Sequence, residues 1–305
     1  MCTPAARLPR KAGAHAGAPL HIPNRRVSLR IYAFADEASP AIDGQIAAMR
    51  RNGLNGLEIR GVDGENVSTI SLEKAKEVRR KLDDAGLCTW SIGSPIGKID
   101  IETGDFAAHL EQLRHTLEVA QVLGAKRLRM FSFYIPVGKD PADYRNRVID
   151  QVGEMLRVGE GSGVLFCHEN EKGIYGDIAS RCLDLHKAFP QMRGVFDPAN
   201  YVQCGQETWS AWEKLNPYID YLHIKDALAD GSVVPAGKGL GNVKRILDAY
   251  RAQGGEDVTV EPHLQVFEGL KDLEQDGNTS HVGGYRYPSS DAAFDAACNA
   301  LKEFL

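Results

Sequence analysis

A chain of 305 residues is long enough to bury a large core, as one α/β domain or as two smaller ones. Its formal net charge of −5 supplies no basic field to hold nucleic acid, and no apolar run approaches the roughly 20 residues of a membrane span. The six cysteines (Cys2, Cys88, Cys167, Cys182, Cys204 and Cys298) have no C-x-x-C spacing, and most fall in apolar or helical contexts, which fits reduced thiols in a cytoplasmic setting.

Residues 1–26 carry Ala, Pro, Arg and Gly without hydrophobic period and without the apolar core of a secretory signal. They read as a disordered or non-native extension, and the folded pattern begins at residue 27. Residues 29–35 form the first expected strand, ending in Asp36-Glu37, and Ser39-Pro40 then signals a helix start. Residues 56–59 are the second strand, with Glu58 inside it and Arg60 at its end. Ser71 opens a helix by a near capping box, and Gly86 stops it. The third strand, 87–92, leads into the loop Gly93-Ser94-Pro95-Ile96-Gly97-Lys98.

A helical period through Leu110, Leu113, Leu117 and Ala120 predicts a helix over 105–123. Strand 127–131, helix 141–158, strand 163–167 and helix 177–189 follow. The strand closing at Phe196, helix 208–215, strand 219–222, helix 242–253, strand 258–260 and helix 290–305 complete the pattern. Eight strands alternating with eight helices argue for a parallel α/β sheet, and at this length for a single-domain closed (β/α)8 TIM barrel over 27–305. Residues 264–288 read as a lid-like insertion before the last helix.

Four polar signatures each close an apolar run in the second half. They are His168-Glu169-Asn170, Asp197-Pro198-Ala199-Asn200, His223-Ile224-Lys225-Asp226 and Glu261-Pro262-His263. In an open sheet the four strand ends would lie along a line at about 4.8 Å per strand. In a barrel they converge on one mouth, where Glu169, Asp197, His223 and Glu261 could share one divalent metal ion. Three oxygens and one nitrogen suit Mn²⁺ best, with Mg²⁺, Co²⁺ or Zn²⁺ as alternatives. Period-2 alternation turns Lys225 toward the mouth beside His223, and His263 beside Glu261.

Upstream strand ends add Asp36, Glu37, Arg60, Lys98, Arg129 and Ser132. Arg60 and Lys98 suit substrate contacts best, and the others read as caps or rim ion pairs. His168 and Asn170 flank Glu169 and are expected to orient a ligand. The glycine-rich loop Pro235-Ala236-Gly237-Lys238-Gly239-Leu240-Gly241 has two readings, a phosphate cradle or a tight turn, and it lacks the G-K-[ST] of a P-loop.

These four signatures, in this order, resemble the xylose-isomerase-like TIM-barrel superfamily, in particular its sugar isomerase/epimerase branch. The resemblance runs over residues 29–305 and is most specific over 168–261. It implies that Glu169, Asp197, His223 and Glu261 bind the metal and that Glu169 and Glu261 double as an acid/base pair. One departure is Asn200, where some ketose epimerases carry a histidine, which leaves it as a candidate substrate contact. The histidine-rich trinuclear zinc set of the apurinic endonuclease branch is absent.

The implied activity is a metal-dependent isomerase or epimerase that moves a proton α to a carbonyl of a keto-sugar or keto-glycoside through an enediolate. The alternative is a lyase cleaving a 3-keto-glycoside by β-elimination, with a small partner subunit. A non-catalytic sugar-binding barrel is the third reading. The expected partner is a small sugar, with no nucleic acid and no membrane, and with room for a homo-oligomer.

Overall fold

The computed structural model describes residues 29–266 and 285–305. The expected extension over 1–26 and most of the expected lid, 264–288, lie outside the described residues. Eight strands close into one barrel: β1 (Arg30–Ala33), β2 (Gly56–Ile59), β3 (Cys88–Ile92), β4 (Arg127–Met130), β5 (Leu165–Glu169), β6 (Arg193–Phe196), β7 (Ile219–Ile224) and β8 (Asp257–Val260). Every neighbouring pair is parallel, and β8 closes on β1 through Arg30↔Asp257 to Ala33↔Val260. The expected (β/α)8 architecture is the one observed.

Nine helices flank the strands among the described residues: α1 (Ile42–Asn52), α2 (Leu72–Ala85), α3 (Phe106–Leu123), α4 (Pro141–Val158), α5 (Ala179–Ala188), α6 (Pro198–Gln203), α7 (Thr208–Leu215), α8 (Val243–Ala252) and α9 (Ser290–Lys302). Their ends follow local chemistry. Ser71 accepts a hydrogen bond from the Lys74 amide at the start of α2, and Asp105 accepts one from Ala108 at the start of α3. Gly86 and Gly124, at φ 71° and 77°, close the same two helices in the left-handed conformation.

α1 differs from expectation. It starts at Ile42 rather than at Ser39-Pro40, because the carboxylate of Asp63 reaches over to accept the Ile42 amide at 2.9 Å. The sequence around α1 cannot show a cap supplied from 21 residues away. Two short hairpins were not expected either: Gly61–Val62 with Glu65–Asn66 after β2, and Asp226–Ala227 with Val233–Val234 after β7.

Strand alternation divides the barrel into two environments. Leu57, Ile59, Leu128, Met130, Phe196, Leu222, Ile224, Val258 and Val260 face outward and join the helices in the main core. Cys167, Val195 and Tyr221 form a separate cluster inside the barrel. One step further along the same inward rows stand Glu169, Asp197 and His223.

Candidate metal centre

The four expected ligands converge. Glu169 ends β5, Asp197 follows β6, His223 lies in β7 and Glu261 follows β8. One ligand atom from each lies within 4.8 Å of the others, and all four side chains are buried. His223 Nδ1 is 2.7 Å from Glu169 Oε1, 3.4 Å from Glu261 Oε2 and 3.9 Å from Asp197 Oδ2.

The donor set fits a divalent cation. Glu169 Oε2 and Asp197 Oδ2 are buried and accept no hydrogen bond among the described residues. Cations stand beside both, Arg129 Nη1 at 3.1 Å from the first and Lys225 Nζ at 2.9 Å from the second. Buried carboxylate oxygens left without hydrogen bonds are costly unless a charge compensates them.

Asp197 performs two tasks with its two oxygens. Oδ1 caps α6 by accepting the Asn200 amide at 3.0 Å, while Oδ2 turns to the cluster. Asn170 holds its backbone from both sides, donating to the Asp197 carbonyl and accepting from the Asp197 amide, each at 3.0 Å. Asn200 donates to the Asn170 carbonyl at 2.9 Å and approaches Glu169 Oε1 at 3.5 Å. The three residues make one rigid junction between β5 and β6. His168 lies elsewhere. It faces out of the barrel, bonded to Ser132 Oγ at 3.0 Å and set edge-on to His186.

The electrostatics follow from crowding. Burial opposes a charge on His223, but the pull of Glu169 and Glu58 outweighs it and raises the imidazole well above its ordinary pKa. Burial raises the Asp197 carboxyl, against the opposing charge of Lys225. Burial also works against ionised Glu261, yet Lys225, His263 and His223 together hold it well below the usual carboxylate range. Lys225 Nζ sits 2.8 Å from Glu261 Oε2 and 2.9 Å from Asp197 Oδ2, bridging two expected ligands.

The remaining candidates surround this centre. The Arg60 guanidinium lies 2.8 Å from Asp36, 3.0 Å from Glu37 and 3.5 Å from Glu261. Lys98 pairs with Glu171 at 3.1 Å and packs over the Phe131 ring. His263 adopts φ 44°, a left-handed conformation unfavourable for a side chain of its size. The Glu37 carboxylate stabilises that conformation by accepting the His263 amide at 2.6 Å, and His263 Nδ1 lies 3.6 Å from Glu261 Oε1.

Arg129 and Glu37, read from sequence as rim ion pairs, are parts of the site itself, and Glu58 had no assigned role. For Arg129 and Glu58 the usable signal was the same: a charged side chain at an inward position of a buried apolar run, as in Arg127-Leu128-Arg129-Met130 and Gly56-Leu57-Glu58-Ile59.

The glycine-rich loop is already occupied from within. The Asp226 carboxylate accepts hydrogen bonds from the amides of Ala227, Gly237, Gly239 and Gly241 at 2.7–3.0 Å. Those amides close a tight turn on a carboxylate of the same chain. A cavity of about 940 Å³ lies against this loop and α8, and none of the four expected ligands lines it.

No curated protein sequence matches the chain significantly. Many solved structures share its fold, three of them as follows. The probable 3-DHS dehydratase of Bacillus anthracis superimposes with a TM-score of 0.67 at 16% identity, covering 90% of this chain and 99% of its own. The 3-keto-D-glucoside 4-epimerase of E. coli gives 0.66 at 13%, covering 91% and 99%. A xylose isomerase-like TIM barrel protein of Mycobacterium smegmatis, solved in complex with magnesium, gives 0.65 at 16%, covering 91% and 96%. Residues 46–273, most of the chain and its barrel from within α1 to β8, match the model of the xylose isomerase-like TIM barrel family, and the chain belongs to that family.

Proposed function

We propose that this chain is a divalent-metal-dependent sugar isomerase or epimerase, acting on a keto-sugar or keto-glycoside. The observation that carries the reading is the buried convergence of Glu169, Asp197, His223 and Glu261 with Lys225 set between two of them. Mn²⁺ suits this O₃N set best, with Mg²⁺, Co²⁺ or Zn²⁺ as alternatives. The ion would supply Lewis acidity next to the substrate carbonyl, lowering the cost of removing the neighbouring proton.

The chain's own residues do the rest. In an epimerisation, one of Glu169 and Glu261 takes the proton from the carbon α to the carbonyl, and the other returns a proton to the opposite face of the resulting enediolate. Lys225 Nζ and the Arg129 guanidinium place positive charge where the oxyanion develops. Asn170 and Asn200 hold the Glu169–Asp197 junction in position. Burial of the whole cluster keeps bulk water from the carbanion, while the carboxyl that has taken the proton exchanges it with solvent between turnovers.

A lyase shares the first step. If the substrate carries a leaving group β to the carbanion, the same deprotonation ends in elimination. The fold likeness to a dehydratase as well as an epimerase keeps this second reading in view.

The test is solvent exchange. Mn²⁺-loaded protein is incubated in D₂O with a panel of keto-sugars and keto-glycosides, and deuterium at the α carbon is followed by NMR. Glu169→Gln and Glu261→Gln should each lower exchange at least about 10²-fold. Exchange persisting in the double variant would remove both glutamates from the mechanism, and a released aglycone in place of an epimer would select the lyase.

A further inference from the structure

Beneath the four expected ligands lies a carboxylate that the reaction does not use. Glu58 is the inward residue of β2, fully buried in the barrel interior. Its bonded neutral neighbours are Ser91 and Tyr221, and the charges of His223 and Arg129 act on it from the mouth side. A charged group buried there costs free energy that an apolar side chain would avoid, so its bonding partners indicate what it is for.

Those partners are specific. Glu58 Oε2 lies 3.1 Å from His223 Nε2. Glu58 Oε1 accepts a hydrogen bond from the Tyr221 hydroxyl at 2.8 Å, and Ser91 Oγ lies 3.3 Å away. Ser91 and Tyr221 are themselves within 3.3 Å of each other. The carboxylate is thus fixed at one oxygen by β3 and β7 and presents the other to the back of the imidazole. The front of the same ring, Nδ1, faces Glu169, Glu261 and Asp197. Phe34 packs edge-on against the ring and limits its rotation.

We propose that Glu58 is a positioning residue for His223. It keeps the proton on Nε2, leaves Nδ1 to the candidate ion, and makes that nitrogen a stronger donor. Tyr221 and Ser91 in turn hold Glu58. The chain's affinity for a divalent cation is therefore set partly from a strand that contributes no ligand. This inference rests on reading His223 as a ligand.

The experiment is calorimetric titration of metal-free protein with Mn²⁺ alone, on the wild type, Glu58→Gln and Tyr221→Phe, beside thermal unfolding of each metal-free protein. Glu58→Gln keeps the size and removes the charge, and should weaken Mn²⁺ binding by about 10- to 100-fold. Tyr221→Phe keeps the charge and removes its anchor, and should weaken binding by about 3- to 10-fold. Each variant removes a buried interaction and should lower the metal-free unfolding temperature while remaining folded at the temperature of the titration. If Glu58→Gln does not fold, Tyr221→Phe decides. Wild-type affinity in the folded variants overturns the proposal while leaving the metal reading intact, and so does a loss of affinity that follows the drop in unfolding temperature rather than the loss of the Glu58 charge. A wild-type protein that binds no Mn²⁺ overturns both.

Discussion

Lys225 occupies the position at which a cation is wanted. Its ammonium bridges Asp197 and Glu261, two of the four expected ligands, from within the buried cluster. Without an ion it compensates those carboxylates, and with one it competes for them. Lys225→Met should therefore have opposite effects on two measurements. The metal-free protein should lose on the order of 3–5 kcal/mol, the cost of breaking a buried pair, seen as a lower unfolding temperature in EDTA. Mn²⁺ should bind at least as tightly as to the wild type and restore the midpoint, while α-proton exchange falls about 10²-fold. Weaker Mn²⁺ binding by this variant would contradict the competition. At this scale the sequence was most legible where a polar residue ended an apolar run, as at Glu169, Asp197, His223 and Glu261. It was least legible where a side chain reached across the barrel. The bond from the Glu37 carboxylate to the His263 amide joins residues 226 apart, and no local pattern announces it.

Between residues and fold, the loop after β3 illustrates how an element is fixed from behind. Gly97 takes φ 91°, and a β carbon there would lie 2.1 Å from the Phe131 carbonyl oxygen, so neither the backbone nor the space admits a side chain. Its amide donates to His109 Nε2 at 2.7 Å, tying the loop that carries Lys98 to α3. An accepting Nε2 requires a neutral imidazole, and burial indeed pushes His109 down to about 4. Burial does the same to His186, to about 4, and to His168, to about 3.

These three histidines are neutral when folded and titrate near pH 6.5 when unfolded. Between about pH 6.5 and 4 the unfolded chain binds more protons, so stability rises with pH across that window and is lost on acidification. Each contributes a slope of roughly 1 kcal/mol per pH unit. Urea unfolding at pH 7 and pH 5 should show the loss. His109→Gln, which keeps an acceptor but does not titrate, should lessen it, and an unchanged pH response in that variant would show that His109 is charged in the native state. Helix and strand order was readable because periodicity and caps are local. The start of α1 and the two hairpins were not, since Asp63 and the Asp226 carboxylate act on segments 11 to 21 residues away.

For the whole molecule, closure of the barrel is what turns a list of strand ends into a site. The number and order of strands were legible from alternation alone. The interior was less so, because a buried strand reads as continuously apolar until a charged inward residue such as Glu58 or Arg129 interrupts it. One consequence of the architecture concerns mechanics. All four expected ligands come from β5 to β8, consecutive staves on one side of the barrel, while β2 and β4 contribute Arg60 and Arg129 from the other. An ion would act as a clasp on one half only. At 100 times its dissociation constant it would add about 2.7 kcal/mol to global stability. Amide hydrogen exchange should register this unevenly, with chelation deprotecting β5 to β8 more than β1 to β3, and uniform deprotection around the ring would argue against a one-sided clasp. The cylinder would then behave as two leaves, one latched by the ion and the other by ion pairs encoded in the chain, so that ion loss loosens the ligand-bearing leaf before the barrel opens.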